Sequence, residues 1–109
     1  DVWSSDLNYF NRSVSTCENI GYYLGILDCY ENLGKTYRMM GLYDKSITYY
    51  NKSLEIVSTT EDEVKRSRIM NQIGNLNVKM SNYDIALEYF DKSKKIKRKI
   101  YVKKILQTD

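Results

Sequence analysis

Three polar residues, Arg68, Asn71 and Asn75, follow one another at intervals of three and four positions. On a helix this spacing places them in one row, because residues three or four apart are neighbours on the helix surface. Two amides one turn apart can present a hydrogen-bond donor and an acceptor side by side, as a peptide backbone requires. The arginine adds a bidentate fork for a carboxylate. The row therefore predicts non-covalent binding of a peptide.

A second polar set lies some forty residues earlier in the chain. Together with the row and Lys79, it gives the residues that we expect to contact a partner: Glu31, Asn32, Lys35, Arg38, Arg68, Asn71, Asn75 and Lys79. Lys35 and Arg38 can bind carboxylates in the same way as Arg68. The alternative interpretation is that both sets are only the solvated faces of two amphipathic helices.

Charge is distributed unevenly, with a net charge of −4 over residues 1–91 and +7 over residues 92–109. Seven residues form a candidate basic tail: Lys94, Lys95, Lys97, Arg98, Lys99, Lys103 and Lys104. We expect Ile96, Ile100 and Ile105 to lie near one side of it, which would make a basic amphipathic helix suited to nucleic acid, acidic proteins or anionic lipid. The alternative, which we favour, is a last helix whose lysines solvate an exposed end or lead into a further domain.

The sequence has no histidine and no GxGxxG, GxxxxGK[ST], GxSxG or HExxH motif. Histidine is the most frequent general acid or base near neutral pH, so we predict no catalysis. Cys17 and Cys29 do not form a CxxC pair, so we predict free thiols, no metal and no cofactor. Free thiols favour a reducing compartment, and there is neither a signal-peptide pattern nor an apolar run of about 18 residues, so we expect a cytoplasmic protein without a membrane span. Because the chain begins at Asp1 rather than Met, we expect it to be part of a longer protein.

The elements that position these residues follow from an internal repeat. Residues 40–56, MGLYDKSITYYNKSLEI, return forty positions later as MSNYDIALEYFDKSKKI. The upstream segments YENLGKTYRMMG and MNQIGNLNVKMS align at the same offset, and residues 3–14 match the second half of the unit. We therefore divide the single domain of 1–109 into half a unit (1–20), two full units (21–60 and 61–100) and a basic C-terminal extension (101–109). A shared period indicates a scaffold rather than a duplicated active site.

Apolar residues within each unit recur at intervals of three and four, which is typical of helices. Leu27, Leu33 and Tyr37 lie on one such stripe, and Ile47 and Leu54 lie on another. The pattern predicts five helices over approximately 2–18, 22–40, 43–58, 62–80 and 83–100. The connections within units are short, so the helices of each unit must pack antiparallel. Gly21 is expected to end a helix in the left-handed conformation, and Thr and Asp residues before position 63 are N-cap candidates.

Gly34 and Gly74 lie inside predicted helices, where glycine costs about 1 kcal/mol relative to alanine. We expect a close approach of the second helix of each unit, with Tyr50 or Phe90 occupying the space beside the missing Cβ. Small residues on the second helices serve the same close packing: Ser46, Ser53, Ala86 and Ser93.

These residues resemble the signature of the tetratricopeptide repeat (TPR) family. The aromatic, Leu-Gly and Tyr positions of the first helix are matched by Tyr30, Leu33-Gly34 and Tyr37. The second-helix signature of aromatic, small, aromatic and small residues is matched twice, by Tyr43, Ser46, Tyr50 and Ser53 and by Tyr83, Ala86, Phe90 and Ser93. The chain departs from the family in its forty-residue unit, in the missing closing proline, in Asn77 where the family has Tyr, and in Asp6 at a small-residue position.

The resemblance implies an all-α fold, a right-handed α-solenoid of antiparallel helix pairs with about five helices. It also implies a protein-interaction scaffold that holds a peptide or helix of a partner in a concave groove formed by the first helices. Two other classes stay open. One is a regulatory segment of a nucleic-acid-binding protein or transcription regulator, whose basic tail contacts phosphates. The other is self-association into a homo-oligomer through exposed apolar end faces.

Overall fold

The computed structural model describes residues 2–107, which form five helices and no strand. In chain order these are α1 (Val2–Ile20), α2 (Tyr23–Met39), α3 (Tyr43–Val57), α4 (Glu63–Lys79) and α5 (Tyr83–Leu106). They form two compact units, one ending at Ile56 and the other beginning at Val57. The predicted all-α class with five helices is confirmed. None of the helices over residues 2–107 is long and apolar enough to cross a membrane.

The forty-residue period of the sequence is also the period of the helices. α2 and α4 each have 17 residues and begin at Tyr23 and Glu63, forty positions apart. α3 and α5 begin at Tyr43 and Tyr83, with the same separation. The predicted helix bounds hold to within two residues, except at the end of α5. The division into repeats at 20/21, 60/61 and 100/101 stays a prediction.

α5 is longer than predicted because nothing in the sequence stops it at residue 100. It continues through IYVKKIL to Leu106, a stretch that contains no glycine or proline. Lys103 and Lys104 lie in its last turn, where positive charge is favourable near the partial negative charge of the helix C-terminus. Most of the predicted C-terminal extension is therefore helix, and its last two residues, Thr108 and Asp109, lie outside the described part of the chain.

Three helices end in a left-handed residue. Gly21 and Gly41 have φ angles of 70° and 79°, and Ser81 occupies the position equivalent to Gly41 with a φ of 63°. The amide of Leu42 donates to the carbonyl of Tyr37 at 2.9 Å, and the equivalent bond after α4 is 2.8 Å long. These bonds satisfy carbonyls that the helix ends leave unpaired. The predicted stop at Gly21 is confirmed.

The start of α4 is capped by a side chain. Asp62 Oδ1 accepts a hydrogen bond from the amide of Lys65 at 2.9 Å. This bond satisfies one of the donors that the first turn of a helix leaves without a partner. Of the predicted N-cap candidates, Asp62 is therefore the capping residue. It fixes the start of the helix that carries the polar row.

The core of the first unit lies between α2 and α3. Leu27 and Leu33 are fully buried, and the ring of Tyr50 packs against Gly34, where an added Cβ would lie 3.0 Å from it. The hydroxyl of Ser46 is buried and donates to the carbonyl of Gly34. α1 packs against α2 but contributes no buried residue among those described.

The second unit packs α4 against α5 around Ile69, Ile73 and Leu76, which are fully buried. A Cβ on Gly74 would lie 2.6 Å from the ring of Phe90, so the predicted close approach is confirmed in both units. The helices are linked by a different hydrogen bond, from Ser93 Oγ to the carbonyl of Ser67 at 2.9 Å. The four small residues predicted to allow this packing are all buried: Ser46, Ser53, Ala86 and Ser93.

Asn77 lies where the first unit has Tyr37. It is buried, and its Nδ2 donates to the carbonyl of Ile73 at 2.9 Å. The side-chain Nδ2 of Asn82, in the following turn, donates to Asn77 Oδ1 at 3.5 Å. A buried amide needs such partners because an unpaired polar group costs free energy. Asn77 is thus a polar core residue of the second unit.

Candidate functional site

The predicted row on α4 lies on its solvent-facing side. The buried residues Ile69, Ile73 and Leu76 occupy one side of the helix. Residues one or two positions from these are rotated by about 100–200° around the axis and face away from the core, because a helix turns about 100° per residue. The row residues follow this rule: Arg68, Asn75 and Lys79 are exposed, and Asn71 is half-buried. The second unit therefore presents one continuous polar row.

The predicted set on α2 is arranged similarly in the first unit. Asn32 and Lys35 are exposed, whereas Glu31 and Arg38 are half-buried. The Nε atom of Arg38 is buried and has no hydrogen-bond acceptor among the described residues. A buried donor without a partner costs about 1–3 kcal/mol. The Nε atom of Arg66 is buried without an acceptor in the same way.

The seven residues of the basic tail are all exposed on α5. Lys95 forms an ion pair with Asp91 at 3.1 Å, one turn earlier on the same helix. A cleft of about 640 Å³ runs along this end of the helix beside the start of α4. Its walls are Glu63, Lys95, Arg98, Lys99, Ile100, Val102 and Lys103. Four of the seven basic residues thus line one cleft.

The expectation that three isoleucines share one side of this helix is wrong. Ile96 is buried and Ile100 is half-buried, but Ile105 is 53% exposed. Ile105 lies five positions after Ile100, which corresponds to about 140° around the helix axis. The end of α5 therefore has apolar residues on two sides, one facing the core and one facing solvent.

A cluster of tyrosines and lysines in the first unit was not predicted from the sequence. Tyr37 and Tyr49 stack with ring centroids 5.5 Å apart, and Tyr30 lies 5.9 Å from Tyr49. Lys52 Nζ lies 4.9 Å from the centre of the Tyr49 ring, and Lys45 Nζ lies 5.5 Å from that of Tyr37. An ammonium group over an aromatic face is attracted by the ring quadrupole. These contacts join α2 to α3.

Burial raises the pKa of the Tyr30 phenol above its ordinary value, and the negative charge of Glu18 acts in the same direction. Burial likewise raises the pKa of Tyr37. The second unit keeps only part of this cluster, with Lys92 Nζ lying 5.4 Å from the centre of the Tyr89 ring. The available sequence signal was the spacing of Lys45, Tyr49 and Lys52, which places them on one side of α3.

The two cysteines are free thiols, as predicted, and both are half-buried. Burial is the main cause that raises the pKa of Cys29, and neighbouring Cys17 adds to it. A raised pKa lowers the fraction of reactive thiolate at neutral pH. Over residues 2–107, no group of three or more His, Cys, Asp or Glu side chains is arranged to hold a metal ion.

Comparison with known proteins agrees with the helical repeat fold. One family model described as a tetratricopeptide repeat matches residues 7–59, and a second matches residues 67–100. The crystal structure of the apo form of RapI is similar over 93% of this chain, with a TM-score of 0.79 and 23% identity. This chain spans 36% of the length of that one, and the likeness concerns the fold. No curated protein matches the sequence. The two matched segments, the forty-residue helical period and the Gly-aromatic contacts together assign this chain to the tetratricopeptide repeat family, whose helical repeats form protein-interaction modules.

Proposed function

We propose that this chain binds a peptide segment or helix of a partner protein through the polar row on α4, that the polar row on α2 binds likewise in the first unit, and that the chain has no catalytic role. The observation that carries the proposal is the α4 row, which occupies the solvent-facing side of the helix with amide and cationic groups. TPR repeats are generally non-catalytic scaffolds that bind proteins.

The α4 row suits a partner peptide that has an extended backbone followed by an acidic group. Asn71 and Asn75 lie one turn apart, about 6 Å between Cβ atoms, and each amide offers both a donor and an acceptor. Arg68, one turn earlier, supplies the fork for a carboxylate of the partner. Lys79 adds a positive charge at the far end of the helix. We therefore expect a peptide with at least one Asp, Glu or C-terminal carboxylate.

The α2 row contributes in the first unit. Half-buried Arg38 offers guanidinium N–H groups to a carboxylate of the partner. Exposed Lys35, one turn before it, extends the positive surface, while half-buried Glu31 can accept from a partner amide or cation.

Selection of peptides from a displayed random library, followed by fluorescence-polarisation titration, tests the proposal. The triple variant Arg68→Ala, Asn71→Ala and Asn75→Ala should abolish binding of the selected peptides and leave the thermal melt nearly unchanged, because these residues do not form the core. A matched control replaces three exposed residues of α3 at similar spacing: Asp44→Ala, Thr48→Ala and Asn51→Ala. The proposal fails if the row variant binds as tightly as the wild type, or if the control loses binding equally.

A further inference from the structure

One side of α5 carries a continuous stripe of exposed residues, here called the outer stripe. Its members are Tyr83, Leu87, Asp91, Lys94, Arg98, Tyr101 and Ile105. They are spaced by three or four positions, so they fall within about 80° of one another around the helix. The buried residues Ala86, Ser93 and Ile96 lie on the other side. The outer stripe shares no residue with the polar rows proposed to bind a peptide.

Both ends of the outer stripe are apolar. Tyr83 and Leu87 are 59% and 64% exposed, and Tyr101 and Ile105 are 66% and 53% exposed. In α3, forty residues earlier, the residues equivalent to Tyr83 and Leu87 are half-buried. The same side of the corresponding helix is therefore partly covered in the first repeat. Exposed apolar groups arranged in this way are typical of interaction surfaces.

The charges of α5 are separated along its length. From Tyr83 to Asp91 the helix has three acidic residues and no basic one, and from Lys92 to Leu106 it has eight basic residues and no acidic one. A second helix lying parallel would bring like charges together, which is destabilising. A helix of the same sequence lying antiparallel would place the acidic part of each copy beside the basic part of the other.

We propose that α5 pairs antiparallel with α5 of a second copy of this chain, with the two-fold axis near Lys94. Tyr83 and Ile105 are equally distant in sequence from Lys94, and so are Leu87 and Tyr101. In this register Tyr83 of one copy packs on Ile105 of the other, and Leu87 packs on Tyr101. The two Lys94 side chains meet at the axis and are flanked by the Asp91 carboxylates of both copies, and each Asp91 also lies near Arg98 of the other copy. The same surface then serves both copies, as a two-fold interface requires.

Sedimentation equilibrium of the nuclease-treated 109-residue chain tests this pairing. We expect a monomer–dimer equilibrium that weakens at high salt, because salt screens exposed charges. The variant Leu87→Glu with Tyr101→Glu should raise the dimer dissociation constant by about tenfold or more, since it places acidic groups at two apolar contacts. The control Val64→Glu with Ile85→Glu changes two residues that are 61% and 45% exposed and lie off the stripe. It should dimerise as the wild type does.

A charge exchange tests the antiparallel register. Asp91→Arg and Arg98→Asp should each weaken the dimer, and the double variant should recover most of the affinity because the two charges are exchanged between facing positions. Lys95→Ala measures how much of the Asp91 effect comes from the ion pair within the helix. The proposal is overturned by a monomer at every concentration, by a stripe variant that dimerises normally, or by a double exchange without recovery. Association that disappears on nuclease treatment also overturns it and assigns the basic half to nucleic acid.

Discussion

The ring of Phe90 fills the space that a side chain on Gly74 would occupy. A Cβ there would lie 2.6 Å from Cε1 of Phe90, shorter than a van der Waals contact allows. In the first unit, a Cβ added to Gly34 would lie 3.0 Å from the ring of Tyr50. Close packing of α4 and α5 therefore depends on glycine at position 74 more strictly than packing of α2 and α3 depends on Gly34.

Gly74→Ala is expected to lower the free energy of unfolding by about 1 kcal/mol, because overpacking of about 1–3 kcal/mol outweighs the gain in helix propensity. Gly34→Ala should be less harmful, since its neighbour has to move less. Denaturant unfolding followed by circular dichroism measures both. Gly74→Ala combined with Phe90→Leu should recover part of the loss. A Gly74→Ala protein more stable than the wild type would contradict the packing argument.

Ser81→Gly is expected to stabilise the chain by about 0.5–1 kcal/mol, because Ser81 adopts the left-handed conformation that costs a residue with a Cβ. The reciprocal change, Gly41→Ser, should destabilise by a similar amount, since Gly41 has a φ of 79°. Thermal melts of the two variants form a matched pair. Equal effects of the same sign would show that backbone conformation at these turns does not limit stability.

Asp62→Ala should cost about 1 kcal/mol of stability, as expected for the loss of a side-chain N-cap. The comparison variant is Glu61→Ala, because Glu61 is an exposed acidic residue next to the cap and its side chain makes no capping bond to α4. This variant should lose less stability than Asp62→Ala. Hydrogen exchange of the Lys65 amide gives a local measure, since this amide donates to Asp62 Oδ1. Unchanged exchange at Lys65 in Asp62→Ala would argue against the cap.

Stability should fall as the pH rises through the titration range of tyrosine. The pKa values of Tyr30 and Tyr37 are raised in the folded state, mainly by burial. The folded chain therefore retains phenol protons that the unfolded chain, with a phenol pKa of about 10, releases. The contribution of these two phenols to the free energy of unfolding is fully present below the unfolded-state pKa of about 10. It is lost as the pH rises through the folded-state pKa.

Urea melts from neutral to strongly alkaline pH measure this effect. The variant Tyr30→Phe with Tyr37→Phe should have a shallower decline of unfolding free energy than the wild type. The variant Tyr23→Phe with Tyr101→Phe, which removes two exposed phenols, provides the baseline for phenol number. If the Tyr30→Phe, Tyr37→Phe variant loses stability with rising pH as steeply as the wild type, groups other than these two phenols cause the alkaline sensitivity.

Local and periodic features could be predicted from the sequence. The repeat of residues 40–56 at 80–96 located the helices to within two residues at nine of ten ends. Gly34 and Gly74 indicated where helices approach, because glycine inside a helix needs a compensating reason. The family follows from the same residues. The solvent-facing side of α4 was also predictable, because the spacing of Ile69, Ile73 and Leu76 defines its buried side.

Relations between side chains of different helices were decided by the tertiary structure. The sequence does not show that Lys52 lies over Tyr49 while Tyr49 stacks on Tyr37, since these contacts depend on how α2 and α3 cross. Similarly, Ser46 Oγ of α3 donates to the carbonyl of Gly34 on α2, whereas Ser53 Oγ donates to the carbonyl of Tyr49 on its own helix. The exposure of the outer stripe depends on which faces of α5 are covered. The periodicity of the sequence thus determined where the helices lie and which side of each is apolar. The tertiary structure determined which side chains of different helices are in contact, because those distances depend on how the helices cross and not on sequence spacing.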